Sequence, residues 1–265
     1  MFEIAGKVAL VTGGVSGIGL SVGKALLENG LAGLAITDID EVNGKTVLQT
    51  IKTQYGDDKV IFIKLDVTDK KQFDDAFQHT IKVFKNLDIV INIAGVLLCD
   101  DWEREIAVNL IGTATGTILA IDKYLPTFKS ETDAVVLNVA SVFGLDNHSA
   151  VPTYSASKSG VIGLTRSFGT QLLYEKSKVR IIAICPGFTE TPLLRHVDSS
   201  TSSNPCLYLL EQDLPNIYKQ NTSNVSKAMI QMIKQGQNGS IWVSEDDQPP
   251  YEIEFFTRQQ LKKYR

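Results

Sequence analysis

Short runs of consecutive apolar residues, rich in β-branched types, alternate along the chain with longer stretches whose apolar positions recur at helical spacing. The runs fall at residues 7–12, 34–38, 60–65, 88–92, 134–139, 179–184 and 240–244. Because they do not alternate apolar with polar, they suit strands covered on both faces, as in a parallel sheet. The stretches between them predict helices over 17–29, 41–55, 70–85, 102–125, 154–175 and 225–235. Together they predict an α/β fold: one Rossmann-type, doubly wound domain over 1–265, with a mostly parallel seven-stranded sheet and helices on both faces.

Two stretches leave this rhythm. Residues 188–223 mix Ser, Thr, Asn and Pro with an apolar group at Cys206–Leu210, and so long an irregular segment in a compact domain reads as a substrate-binding lid. The C-terminal tail, 245–265, contains the apolar stretch DQPPYEIEFF, which docks either on its own domain or on a second subunit.

Composition narrows the partners. With 26 Lys+Arg against 30 Asp+Glu, a net charge of −4 and no basic cluster, the chain has no electrostatic footprint for nucleic acid or an anionic membrane. A small-molecule partner is expected. Cys99, Cys185 and Cys206 show no C-x-x-C spacing, so neither a disulfide framework nor a metal site is expected, and a reducing, cytoplasmic location is. The N-terminal MFEIAGKVALVTGG fits neither a signal peptide nor a membrane span, so the N-x-S sequons carry no weight.

The first predicted strand runs into Thr12-Gly13-Gly14-Val15-Ser16-Gly17-Ile18-Gly19 and then directly into a helix. Glycines there let the backbone turn tightly and approach a pyrophosphate, while the helix N-terminus offers free N–H groups and the positive end of its dipole. The spacing is G-x-x-x-G-x-G, a variant of the usual dinucleotide fingerprint. Asp38 ends the second strand 19 positions after Gly19, where an acid can bind a ribose 2′-hydroxyl. Ile39 and Asp40 follow, and no Lys or Arg is present to neutralise a 2′-phosphate. NAD is therefore expected rather than NADP.

Tyr154-Ser155-Ala156-Ser157-Lys158 opens a predicted helix, so Tyr154 and Lys158 share one face. Ser141 ends the preceding strand, 13 positions upstream of Tyr154. Strand end, loop and helix start bring the three together beside a cofactor held at the carboxyl ends of the strands. Tyrosine titrates near pH 10, and an adjacent ammonium together with a cationic nicotinamide favours the phenolate. Tyr154 is then a base for a substrate hydroxyl, Ser141 holds the substrate oxygen, and Lys158 holds both the phenolate and the cofactor ribose.

As a set and in this order, these pieces resemble the short-chain dehydrogenase/reductase family over essentially the whole chain. They are TGGVSGIG at Thr12–Gly19, Asp38, the LDV containing Asp66, NIAG at Asn92–Gly95, the VNL containing Asn109, Ser141, YSASK, and PGFTET at Pro186–Thr191. The resemblance implies a cofactor site of Gly13, Val15, Ser16, Gly17, Ile18, Gly19, Asp38, Ile39, Asp66, Val67, Asn92, Ala94, Gly95, Tyr154, Lys158, Pro186, Gly187, Phe188, Thr189 and Thr191. Asp66 and Val67 would face the adenine, Pro186 to Thr191 the nicotinamide, and Asn109 would anchor a water relay leading from Lys158. Asn109, Ser141, Tyr154 and Lys158 would form the catalytic set. Ile93 departs from the family, which usually has a second asparagine there.

Within the family, GKVALVTGGVSGIG and IIAICPGF are similar to NAD-dependent 15-hydroxyprostaglandin dehydrogenases, and WEREIAVNLIG and NGSIWVSEDD to insect-type alcohol dehydrogenases. Both likenesses imply NAD-linked oxidation of a secondary alcohol, or reduction of its ketone, by a homodimer. The prostaglandin enzymes carry a glutamine three positions before the tyrosine, where this chain has Val151. The expected substrate contacts are Ser141, His148, Val151, Tyr154 and Phe188, with Leu193, Leu194 and Leu207–Leu210 as an apolar wall or as lid packing. The alternative is a catalytically idle dinucleotide-binding sensor or scaffold, which has no use for the intact Asn109, Ser141, Tyr154 and Lys158 set.

Overall fold

A computed structural model describes residues 1–98, 100–193, 207–213, 215 and 217–262; the expectations for Cys99, Leu194 and Cys206 lie outside the described residues. The first half runs β1 (Val8–Thr12), α1 (Gly17–Glu28), β2 (Gly33–Asp38), α2 (Glu41–Tyr55), β3 (Val60–Lys64), α3 (Lys70–Phe84) and β4 (Ile89–Asn92), followed by the long helix α4 (Trp102–Phe128). The second half adds β5 (Ala134–Val139), α5 (Pro152–Phe168), α6 (Gln171–Ser177), β6 (Val179–Pro186), α7 (Leu207–Asp213), α8 (Thr222–Gln235), β7 (Ile241–Ser244) and β8 (Tyr251–Glu252).

The strands order as β3-β2-β1-β4-β5-β6-β7-β8, parallel except for β8. Among the described residues the sheet thus has eight strands where seven are expected from sequence. The eighth comes from the tail, where Tyr251 and Glu252 pair antiparallel with β7, and Ile253 and Phe255 pack on the layer beneath. The tail docks on its own sheet. A two-residue edge strand leaves no periodic signature to read.

The unbroken apolar runs have the expected cause. Alternate residues of β1, β4 and β5 feed opposite layers: Ala9, Val11, Ile89, Ile91, Val135 and Leu137 pack under α1, α2 and α8, whereas Leu10, Val90 and Val136 pack under α3 and α4. α4 is by length and composition apolar enough to cross a membrane, but 50% of its most apolar window is buried inside the domain. It contains two π-helical turns, Ala107–Gly112 and Ala120–Tyr124, and Asn109 sits in the first. Such turns are rare and mark places where side chains are re-aimed.

The helix expected over 154–175 is two helices. The chain breaks at Gly169, where a Cβ would lie 2.3 Å from the backbone of Gly239. This approach comes from a distant segment, so local periodicity does not reveal it. α5 also starts two residues earlier than expected, with Pro152 in its first turn, where a missing N–H costs nothing.

β1 pairs with β2 on one side and β4 on the other. The chain order reverses between β1 and β4, opening a crevice at the carboxyl ends of the strands.

Candidate active site

A cavity of about 520 Å³ occupies that crevice, a size typical of small-molecule and cofactor sites. At its floor the Thr12 hydroxyl accepts from the N–H groups of Ile93 (3.0 Å) and Ala94 (3.2 Å), tying the end of β1 to the end of β4. The glycine loop then turns above β1. Gly13 has φ +65°, and a Cβ on Gly19 would stand 2.0 Å from the Gly13 carbonyl oxygen, so position 19 admits no side chain. Gly17 and Thr191 are near neighbours, closing the loop after β6 down beside the glycine loop.

Asp38 lines the cavity next to Ile39. Burial pushes its carboxyl above the usual range, against the opposing effect of the N–H groups of Asp40, Val15 and Ile39, all of which it accepts. Asp40 itself caps α2, accepting from the Asn43 N–H at 3.0 Å. Asp66 and Val67 lie further along the wall with Arg104, whose guanidinium donates to Asp66 at 2.8 Å and to Thr68 at 3.0 Å. Burial raises the Asp66 carboxyl, but Arg104 and Thr68 outweigh it and hold the group below the usual range.

At the other end, Ser141, Tyr154 and Lys158 share the cavity with Pro186, Gly187, Phe188, Thr189 and Thr191. Ser141 caps the 3₁₀ turn at Val142–Gly144, accepting from the Phe143 N–H at 3.2 Å, and its hydroxyl hydrogen-bonds Tyr154. Lys158 Nζ donates to the Val139 carbonyl at 3.0 Å and lies 5.6 Å from the centre of the Tyr154 ring. Gln220 steadies the strip after β6: its Nε2 donates to Thr189 Oγ1 (3.2 Å) and to the Ser244 carbonyl (2.6 Å).

Around Tyr154 the wall is apolar. Leu97, Ala150, Val151, Leu207 and Leu210 are buried with it, and Phe143, Phe188, Leu193 and Leu209 pack against them. Such surroundings work against the phenolate in the free protein. In the free protein the lysine does not pull the tyrosine down: burial dominates, the Ser141 hydrogen bond opposes it, Glu105 adds to it, and Tyr154 is pushed up to about 12. Burial likewise pushes Lys158 down to about 8.

Of the expected cofactor residues, Gly13, Ser16, Gly17, Ile18, Gly19, Asp38, Ile39, Asp66, Val67, Ala94, Gly95, Tyr154 and Lys158 line the cavity along with the residues after β6. Five expected site residues stand behind its wall. Val15 is buried and donates its N–H to Asp38, while its carbonyl accepts from Asn43 at 3.2 Å. Asn92 is buried beneath the floor, donating to Asn138 at 2.8 Å, with its own Oδ1 unpartnered among the described residues. Asn109 is fully buried: its Oδ1 accepts from the Val96 N–H (2.8 Å), and its Nδ2 donates to the Val96 carbonyl (2.9 Å) and to Ser157 (3.3 Å). It pins the loop after β4 to α5.

Val151 lies within the apolar cluster. His148 joins the loop before α5 to α7, with Nε2 3.3 Å from Asp213 Oδ2 and its ring 5.1 Å from that of Phe143. Ile93, the departure from the family pattern, packs its side chain into the layer under α1 while its N–H holds Thr12. Sequence reasoning missed Arg104 and Glu105. Glu105 stands four positions before Asn109 on one helix face, the one local sign that it turns inward.

The family model described as short chain dehydrogenase matches residues 7–202. The chain belongs to the short-chain dehydrogenase family. It is 36% identical over 210 residues to 15-hydroxyprostaglandin dehydrogenase [NAD(+)] of Rattus norvegicus, covering 79% of this chain and 78% of that protein. It is 31% identical over 249 residues to alcohol dehydrogenase 1 of Ceratitis capitata, covering 91% of this chain and 93% of that one. A short-chain dehydrogenase/reductase from Burkholderia phymatum, solved in complex with NAD, superposes with a TM-score of 0.79 at 23% identity, over 92% of this chain and 90% of that one, and shares the fold.

Proposed function

We propose that this short-chain dehydrogenase is an NAD-dependent oxidoreductase acting between an apolar secondary alcohol and its ketone. The observation that carries the reading is one continuous cavity with Asp38 at one end and Ser141, Tyr154 and Lys158 at the other. Its residues fit a dinucleotide: position 19 excludes any side chain, α1 presents its N-terminus to the cavity, and Asp38 offers a carboxylate beside the apolar Ile39. The glycine loop would hold the pyrophosphate, Asp38 the ribose diol, and Asp66 with Val67 the adenine side. NAD bound there supplies the hydride acceptor and, as its oxidised form, a positive charge. Every other task falls to the chain. Ser141 orients the substrate oxygen by hydrogen bond, Tyr154 Oη takes the hydroxyl proton in oxidation and returns it in reduction, and the Lys158 ammonium stabilises the phenolate. The apolar group around Tyr154 excludes water and receives the carbon skeleton.

The sign of the pH dependence follows from these positions. A tyrosine pushed up to about 12 is protonated at neutral pH, ready to donate and unready to accept. Alcohol oxidation is therefore expected to rise with pH, and ketone reduction to hold across neutrality and fall at high pH, as initial rates in the two directions will show.

Secondary alcohols of increasing length test the pocket: kcat/KM rises roughly fourfold per methylene, the value of about 0.8 kcal/mol of burial, until the pocket is full. A flat or falling series speaks against an apolar pocket. Cofactor choice is tested at Asp38. The double change Asp38→Ser with Ile39→Arg removes the repelling carboxylate and supplies a cation, and moves the NADP-to-NAD ratio of kcat/KM upward by roughly 100-fold. Equal use of NADP and NAD by the wild type would contradict the electrostatic argument.

Three further parts belong to this reading. Trp102, Ile111 and Ile118 of α4 are 54%, 48% and 42% exposed, and large apolar side chains left open on this helix support a homodimer. Cys185 is a free buried thiol, in keeping with a cytoplasmic location. Leu207 and Leu210, from the described part of 188–223, pack beside Tyr154 and support assigning that stretch to the substrate side of a single domain.

A further inference from the structure

Glutamate is almost never fully buried without a charged partner. Glu105, in the first turn of α4, is 1% exposed and forms no ion pair among the described residues. Its carboxylate accepts two neutral donors: the Thr153 hydroxyl at 2.7 Å on Oε1 and the Leu98 N–H at 2.8 Å on Oε2. Both belong to the site's frame. Thr153 immediately precedes Tyr154 in the first turn of α5, and Leu98 adjoins Leu97, which packs with Tyr154.

We propose that Glu105 is a positioning residue that ties the first turn of α5 to the loop after β4, and that its negative charge keeps Tyr154 protonated and Lys158 charged and so sets the pH window of turnover. The proposal rests on the reading of Tyr154 and Lys158 as the proton-handling pair.

The tie alone does not require a charge. Glutamine makes the same two bonds, because a threonine hydroxyl accepts as readily as it donates. A buried carboxylate carries a desolvation cost that glutamine avoids, so the charge calls for its own role. The two groups that feel it are Lys158 and Tyr154, both of which Glu105 pushes upward; burial raises the Glu105 carboxyl itself, against the opposing effect of Thr153, Leu98 and Lys158. Lys158 spends its own hydrogen bond on Val139 and does not neutralise the carboxylate by contact.

The other charged and titratable groups nearby are otherwise engaged. On α4, Arg104 is paired with Asp66 and Glu103 is exposed. On the preceding loop, Asp101 accepts from the Arg104 N–H at 3.0 Å, and Asp100 lies next to it in sequence. From β6, Cys185 faces Lys158 rather than Glu105.

A negative charge stabilises the protonated forms of both neighbours, so its removal moves both in one direction. In the pH profile of kcat/KM for alcohol oxidation, the two limbs belong to Tyr154 and Lys158 as a pair, so both limbs move with the charge. Glu105→Gln keeps both ties and removes the charge. Both limbs then move to lower pH by about one unit or more, the scale of one charge acting within about 12 Å at an effective dielectric of about 20. Thr153→Val keeps the charge and cuts the tie, lowering kcat/KM several-fold with both limbs in place. Exposed Glu103→Gln moves nothing.

A second readout needs no turnover. Tyrosinate ultraviolet absorbance, taken as a difference against Tyr154→Phe in the same background, reports the Tyr154 midpoint directly, and it too falls in Glu105→Gln. Unmoved limbs and midpoint in Glu105→Gln, or an equal movement in Thr153→Val, overturn the proposal. If Glu105→Gln does not fold, Glu105→Asp, which retains the charge, must leave both limbs in place; movement there overturns it as well. A wild type that turns over no secondary alcohol defeats the underlying reading instead, and the absorbance titration still judges Glu105.

Discussion

Tyr154→Phe is expected to keep the fold and cofactor affinity while lowering kcat for alcohol oxidation by about 10²–10⁴-fold, the usual worth of a positioned acid or base. The ring of Tyr154 packs in the apolar group with Leu97, Val151, Leu207 and Leu210, and phenylalanine fills the same space. What goes is one oxygen, the one bonded to Ser141 at the end of the cavity that Lys158 also lines. Because the tyrosine is already buried, its deletion leaves little unsatisfied: Ser141 Oγ still accepts from the Phe143 N–H. The loss therefore appears in kcat and not in the melting temperature. Steady-state kinetics alongside a thermal melt check this; a variant that retains activity within a few-fold removes Tyr154 from the chemistry.

The second large effect is expected at the opposite end of the cavity. In Gly19→Ala the new Cβ meets the Gly13 carbonyl oxygen at 2.0 Å, far inside contact distance, and backbone must move to relieve it. Gly13 itself sits at φ +65°, with a Cβ position only 3.0 Å from the backbone of Ala94, so it has little room to yield. The loop that places N–H groups at the start of α1 is displaced, and NAD affinity falls by roughly 100-fold, with a loss of about 1–3 kcal/mol in stability from overpacking. Titration calorimetry and denaturant melts measure the two. Wild-type affinity in this variant would mean that the cradle is not where the dinucleotide is held.

The glycine end of the cavity and the grouping of Tyr154 with Lys158 were legible because each rests on local spacing. A strand, a glycine turn and a helix start put Gly13 to Gly19 at the crevice, and four-residue spacing put Tyr154 and Lys158 on one face of α5. Legibility ended where distant segments decide the outcome. The direction of the Tyr154 shift depends on burial, to which Leu97, Leu207 and Leu210 contribute from two other parts of the chain. The break at Gly169 depends on Gly239, and β8 depends on an open edge of β7.

The same limit explains the residues expected in the cavity and found behind it. Asn109 and Asn92 belong to the motif strings, but a string does not say which side of the wall a side chain takes. Asn109 spends its amide on Val96 and Ser157, Asn92 donates to Asn138, and both work as braces. Glu105 shows the reverse error. Its four-residue relation to Asn109 was visible, yet charged residues on a helix usually face water, and only the structure shows it turned inward between Thr153 and Leu98.

The most direct measurement follows one atom. A secondary alcohol carrying deuterium on the carbinol carbon is incubated with the protein and NAD⁺, and the reduced cofactor is weighed by mass spectrometry. The cavity joining Asp38 to Ser141, Tyr154 and Lys158 predicts that the deuterium appears in the cofactor, one per ketone formed, and that Tyr154→Phe suppresses the transfer. Ketone formed with no label in the cofactor, or no reduced cofactor from any apolar secondary alcohol while NAD still binds, would contradict hydride transfer as the function of this site.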